Sequence, residues 1–147
     1  MNKLVEQMKV LLGGSFSLYL KVHGFHWNIK GPDFYQYHTF LEKIYSELYG
    51  VLDPIAEEIR ALDAYAPGSV GRMKELSFIQ DEERILEPLE MFRVILADND
   101  KMLAEIKKTY SLAEAADEIG LSNFLQDRYD AHKKLAWMIK STVQGVR

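Results

Sequence analysis

The chain has 147 residues, 48% apolar and 27% charged, with a formal net charge of -4 and no cysteine. That length suits one domain with a sizeable core, and the missing cysteines exclude disulfides, thiolate metal sites and cysteine nucleophiles. The acidic balance argues against a surface built for nucleic acid.

Apolar runs fall short of the ~20 residues of a membrane span, and MNKLVEQMKV at the N-terminus lacks the apolar core of a secretory signal. A cytoplasmic protein without membrane contact is expected. The lysine pairs Lys107–Lys108 and Lys133–Lys134 read as solvated helix faces.

Periodicity predicts four long helices. The first runs from about Asn2 to Asn28, with Leu4, Met8, Leu11, Leu12 and Leu18 among its apolar positions. Gly13 and Gly14 each cost a helix roughly 1 kcal/mol against alanine, which implies close packing or a bend. Gly31–Pro32 breaks the chain, and Asp33 is placed to cap a second helix reaching about Leu62. Pro54 removes one N–H from that helix and crowds the Gly50 carbonyl, so a kink beside Asp53 is expected.

Ala64 to Glu83, with Pro67, Gly68, Ser69 and Gly71, is a connection long enough to cross the bundle, with a short helix around Val70–Ile79. A third helix is expected over about Arg84–Tyr110 and a fourth over about Ser122–Val143, with Ser111–Gly120 partly helical and Gly145 marking the end. No strand-like alternation or repeat intervenes. Residues 1–147 therefore read as one all-α domain, a ferritin-like four-helix bundle with a short helix in the long crossover between the second and third helices.

Five side chains carry the chemistry. On the second helix His38 and Glu42 are i,i+4 neighbours, as are Asp53 and Glu57. Eleven residues separate Glu42 from Asp53, so both pairs fall on one stripe, but ~16 Å apart along the axis at 1.5 Å per residue. Metal bonds to imidazole or carboxylate span only ~2 Å, so one ion cannot serve both pairs. An antiparallel second copy would set each His38/Glu42 against the partner's Asp53/Glu57, giving two identical sites about a two-fold axis.

His26 and His38 each lie six residues from Pro32, so a hairpin should bring them level. Ser46 and Gly50 would let two helices approach closely on the same stripe, where polar ligands are costly unless metal or hydrogen bonds satisfy them. The mixed donor set suits iron better than calcium and admits zinc or manganese.

His23, one turn before His26, is a further ligand or supporting group, whereas His132 reads as structural. The Glu-x-x-His signature of a di-iron centre within one bundle is absent, because Leu20, His23, Tyr35 and Tyr129 stand three places before the four histidines. Trp27, Tyr35, Tyr45 and Tyr49 lie near the proposed site. Packing is their default role, and interception of oxidising equivalents the sharper one.

The segment H-W-N-I-K-G-P-D-F from His26 to Phe34 resembles the Dps family of mini-ferritins. So do His38, D-P-I-A-E-E-I from Asp53 to Ile59, and N-F-L-Q-D-R-Y-D-A-H-K-K-L-A-W-M from Asn123 to Met138. The resemblance implies a hollow dodecamer built from two-fold dimers, with the crossover helix at the dimer interface. It implies a ferroxidase centre there, with His26, His38 and Glu42 from one subunit and Asp53 and Glu57 from its mate. It also implies Fe(II) oxidation by hydrogen peroxide, or dioxygen, with ferric oxide stored inside.

Three departures stand out. Glu42 occupies a place that is usually Asp. Asn123 falls where an acid often lines the iron-entry pore, leaving Asp117, Glu118 and Asp127 as substitutes. DNA-binding members often carry a Lys-rich N-terminal tail, whereas here helix-forming residues begin almost at Met1 and Lys3 is the only base before Lys9, so direct DNA condensation is not expected. A DNA-binding nucleoid protein, or a structural shell with a weakened metal site, are the rival readings.

Overall fold

The computed structural model describes residues 2–144 and contains five helices, with no strand among the described residues. They are α1 (Asn2–Asn28), α2 (Phe34–Ala61), α3 (Val70–Leu76), α4 (Pro88–Ala115) and α5 (Ile119–Val143). α1 packs on α2 and α4 on α5, while α1 also meets α4 and the short α3. The result is the expected four-helix bundle, with α3 inside the long α2–α4 crossover. None of the described helices is long and apolar enough to cross a membrane.

One apolar face of each long helix makes the core, where Leu18, Leu41, Leu48, Phe92, Met102 and Leu125 are among the fully buried side chains. Polar ties cross it. Lys21 of α1 meets Asp98 of α4 at 2.6 Å with both side chains buried, and Asn99 of α4 is bonded to His132 of α5.

Gly13 and Gly14 seat the crossover against α1. A Cβ at Gly13 would come within 2.9 Å of Leu76 Cβ and of the Met73 carbonyl, and one at Gly14 within 2.3 Å of the Phe78 ring. The close packing expected from these two glycines is therefore present.

Boundaries differ from expectation at four places, each for a local reason. Asp33 is not one of them: it occupies the N-cap position of α2 as expected, although its side chain makes no capping bond. α3 ends at Leu76 because Ser77 turns extended and its hydroxyl accepts from the Ile79 N–H. α4 starts at Pro88, not Arg84. Proline fits the first helical position, and it forces Glu87 before it into extended backbone.

α4 then runs on to Ala115, and α5 starts at Ile119 instead of Ser122. Between them Glu118 N–H bonds to the Ala113 carbonyl and Asp117 N–H to Glu114, a Schellman turn with Asp117 at φ 55°. The α2 terminus repeats the motif with Asp63 at φ 65°. Through Pro54, α2 continues without interruption. Gly145 lies outside the described residues.

Candidate metal centre

The α1–α2 hairpin brings the two candidate histidines together. Gly31 turns the chain at φ 134°, a conformation that L side chains rarely adopt, and its carbonyl accepts from Phe34 N–H. His26 on the last turn of α1 and His38 on the second turn of α2 then stack, with ring centroids 3.6 Å apart and planes 16° from parallel.

Each imidazole is locked by the other's backbone. His26 Nδ1–H donates to the His38 carbonyl at 2.8 Å, and His38 Nδ1–H donates to the His26 carbonyl at 2.9 Å. A carbonyl oxygen only accepts, so both protons sit on Nδ1. In the neutral rings Nε2 is left as a lone-pair donor on each histidine, the form a metal binds. His26 is buried and His38 partly so, with Phe34 stacked on His38 at 4.7 Å and Tyr45 edge-on to His26 at 5.0 Å.

α2 presents the remaining candidate donors. Its core side carries Leu41, Ile44, Leu48, Val51, Ile55 and Ile59. Glu42, Ser46, Tyr49, Gly50, Asp53 and Glu57 are all exposed on the other side. The three carboxylates make no ion pair among the described residues. Asp53 and Glu57 are like charges at i,i+4, which disfavours the helix by a few tenths of a kcal/mol unless a cation lies between them. A Cβ at Gly50 would meet nothing within 4 Å, so this face is open in one chain.

Among the described residues, no three His, Asp or Glu side chains of a single chain converge as a metal-holding group. One chain brings together the two imidazoles; it leaves Glu42, Asp53 and Glu57 outside that pair. The donor chemistry nevertheless fits iron, since borderline imidazole nitrogen and hard carboxylate oxygen are both on offer.

His23 is engaged elsewhere. Its ring stacks on Tyr45 at 3.8 Å and 10°, and its Nδ1 lies 2.9 Å from the Tyr19 hydroxyl. Burial, then the neighbouring His26, lowers the His23 pKa, while burial, then Tyr49 and Tyr45, raises that of Tyr19. Sequence reasoning missed Tyr19, although its i,i+4 spacing to His23 was the available signal. Trp27, Tyr35 and Tyr49 are exposed.

His132 is structural, as expected: buried, it donates from Nδ1 to Asn99 Oδ1 at 2.7 Å, and its Nε2 lies 3.1 Å from the Arg128 guanidinium. Burial, then Arg128, pushes its pKa down to about 3. Asp117 in the α4–α5 turn and Asn123 and Asp127 on α5 are exposed. Burial, then the charge of Glu118, raises the Glu58 carboxyl there.

A family model described as Ferritin-like domain matches residues 2–147. DNA protection during starvation protein 2 of Bacillus anthracis is 32% identical over 142 residues, covering 96% of this chain and 97% of its own. The crystal structure of antigen TpF1 from Treponema pallidum superposes with a TM-score of 0.94 at 26% identity, over 98% of this chain and 93% of that one. A Dps protein of Vibrio cholerae O1, described as a member of a broad superfamily of ferritin-like diiron-carboxylate proteins, has a TM-score of 0.94 at 24% identity. That match covers 97% of this chain and 90% of the other, and it speaks to the fold alone.

Proposed function

Because the chain belongs to the ferritin-like family, in its Dps branch, we propose that it stores iron by oxidising Fe(II) at sites shared between two copies. Ferric oxide would be held inside a hollow dodecamer of such pairs. The observation that carries this reading is the His26–His38 pair, locked with Nε2 free, beside an exposed stripe of unpaired carboxylates on the same hairpin.

The geometry supports a division of labour. Asp53 and Glu57 of one copy hold one Fe(II) through hard oxygen donors. His26 and His38 of the other provide a weaker second position through neutral nitrogen, and Glu42 stands beside it to bridge. Two Fe(II) ions give up one electron each to hydrogen peroxide, whose O–O bond breaks. With two protons this yields two Fe(III) and two water molecules, so no hydroxyl radical is released. The metal is substrate, and the side chains collect, space and orient it. Zinc or manganese would compete for the same donors.

Direct DNA condensation is not part of this reading: the net charge is -4, and phosphate-driven binding needs a basic surface. Nor does a decayed shell account for a complete donor set whose histidines are held in the ligating tautomer.

The test is Fe(II) added anaerobically to purified protein, then peroxide, with ferric absorbance followed against buffer. Wild type should oxidise iron rapidly and keep it soluble. His26→Ala with His38→Ala should lose the rapid phase while assembling normally. Fast kinetics retained in that variant would overturn the assignment.

A further inference from the structure

Outside the five proposed ligands, the densest chemistry in the chain is an aromatic chain that crosses from α1 to α2. Tyr45 stands edge-on to His26 at 5.0 Å and stacks on His23 at 3.8 Å. His23 is bonded to the Tyr19 hydroxyl, and the Tyr19 ring lies 5.2 Å from Tyr49. Every step is a ring-to-ring contact, over which electron exchange is fast.

One member differs from the rest. A tyrosine loses an electron readily only if its phenol proton leaves at the same time, because the oxidised phenol is a strong acid. Within this cluster the Tyr19 hydroxyl alone faces a base, at 2.9 Å. Tyr45 and Tyr49 have no hydrogen-bond partner for their hydroxyls among the described residues. With the His23 ring protonated at Nε2, Tyr19 O–H donates to the Nδ1 lone pair, and the proton has a place to go.

We propose that Tyr19 and His23 form a redox-active pair that supplies one electron, through Tyr45, to the oxidant produced when a single Fe(II) meets peroxide at the site. This inference rests on the ferroxidase reading above. When both metal positions are filled, two Fe(II) ions satisfy peroxide. When only one is filled, Fe(II) gives one electron as the O–O bond breaks, and a second electron is still needed.

Tyr19 gives that second electron and passes its phenol proton to His23 Nδ1. The products are Fe(III), two hydroxide ions, a neutral tyrosyl radical and a His23 imidazolium, which balances charge, hydrogen and oxygen. Oxidising power that would otherwise leave as hydroxyl radical is retained on a partly buried ring.

The experiment uses the assembled protein with Fe(II) below one ion per site, mixed with peroxide and freeze-quenched for electron paramagnetic resonance. Wild type should give a tyrosyl radical whose spectrum carries an exchangeable-proton coupling from His23. Tyr19→Phe should lose most of that signal, and His23→Gln should lose the coupling and most of the yield. An undiminished signal in Tyr19→Phe overturns the proposal. So does a loss of two-iron oxidation rate with unchanged radical yield per iron, the outcome of a purely structural hydrogen bond.

A second arm omits iron and oxidises the protein with flash-excited ruthenium tris-bipyridine and persulfate. Formation of the Tyr19 radical should slow in deuterium oxide in wild type and not in His23→Gln. If wild type oxidises iron no faster than buffer, the ferroxidase reading falls, and this arm alone judges the pair. Identical behaviour of wild type and both variants here overturns it.

Discussion

A site shared between two chains, as proposed above, makes a prediction that no single-chain site can satisfy. Two variant chains are needed, one lacking His26 and His38 and the other with Asp53→Asn and Glu57→Gln. Each alone should be inactive in rapid iron oxidation, since every site in either assembly lacks half its donors. In a mixed pair the outcome splits. One site combines both sets of altered residues, and the other combines both intact sets.

Random mixing makes half the pairs mixed, and half the sites in each are intact, so about a quarter of wild-type activity should return under two-fold symmetry. The ~16 Å between Glu42 and Asp53 along α2 is what forbids a chain from supplying both halves itself. The assay is co-expression with two different tags, tandem purification so that both chains are present, and peroxide-dependent ferric absorbance. Mixed assemblies with no recovered activity would refute the shared site.

Four further outcomes are expected. His132 has a folded pKa of about 3 against the ordinary 6.5, so the unfolded chain takes up its proton first. The stability it contributes is complete above pH 6.5 and is lost as pH falls toward 3. At pH 5 the loss is about 2 kcal/mol, and thermal unfolding of His132→Asn should show a shallower acid dependence than wild type; parallel curves would contradict this. Gly14→Ala, with its Cβ 2.3 Å from the Phe78 ring, should cost roughly 1–3 kcal/mol in denaturant unfolding by overpacking. Asp63→Gly and Asp117→Gly, both at positive φ, should each stabilise by about 0.5–1 kcal/mol on the same assay. Gel retardation at low and near-physiological salt should detect no DNA complex that survives physiological salt, whereas a salt-resistant complex would revive the DNA-binding reading.

Much of this was legible because helices translate sequence into faces. The α2 stripe follows from spacing alone, and so does its separation from the buried Leu41, Leu48 and Ile55 side. The level placement of His26 and His38 needed only a turn at Gly31–Pro32 and two straight helices. Gly13 and Gly14 announced a close approach, though not by which residues. The misplaced start of α4 has a different origin. Residues 80–87 are mostly charged and suit a helix, but Pro88 commits Glu87 to extended backbone, and Arg84 instead bonds Glu82 two residues away. The two Schellman turns were hidden because aspartate, not glycine, sits at their left-handed position.

Least legible was the part of the candidate site that would matter most to a metal. Both imidazoles are oriented by backbone carbonyls, and a carbonyl is present at every residue, so no side-chain pattern encodes the lock. It depends on how closely α1 and α2 run and on their register at the hairpin. That register is set at Gly31, whose φ of 134° a residue with a Cβ holds only under strain. The precision of the His26–His38 pair therefore resides in the turn, five residues from His26. A change at Gly31 should disturb the geometry of the two imidazoles while leaving every candidate donor in the chain.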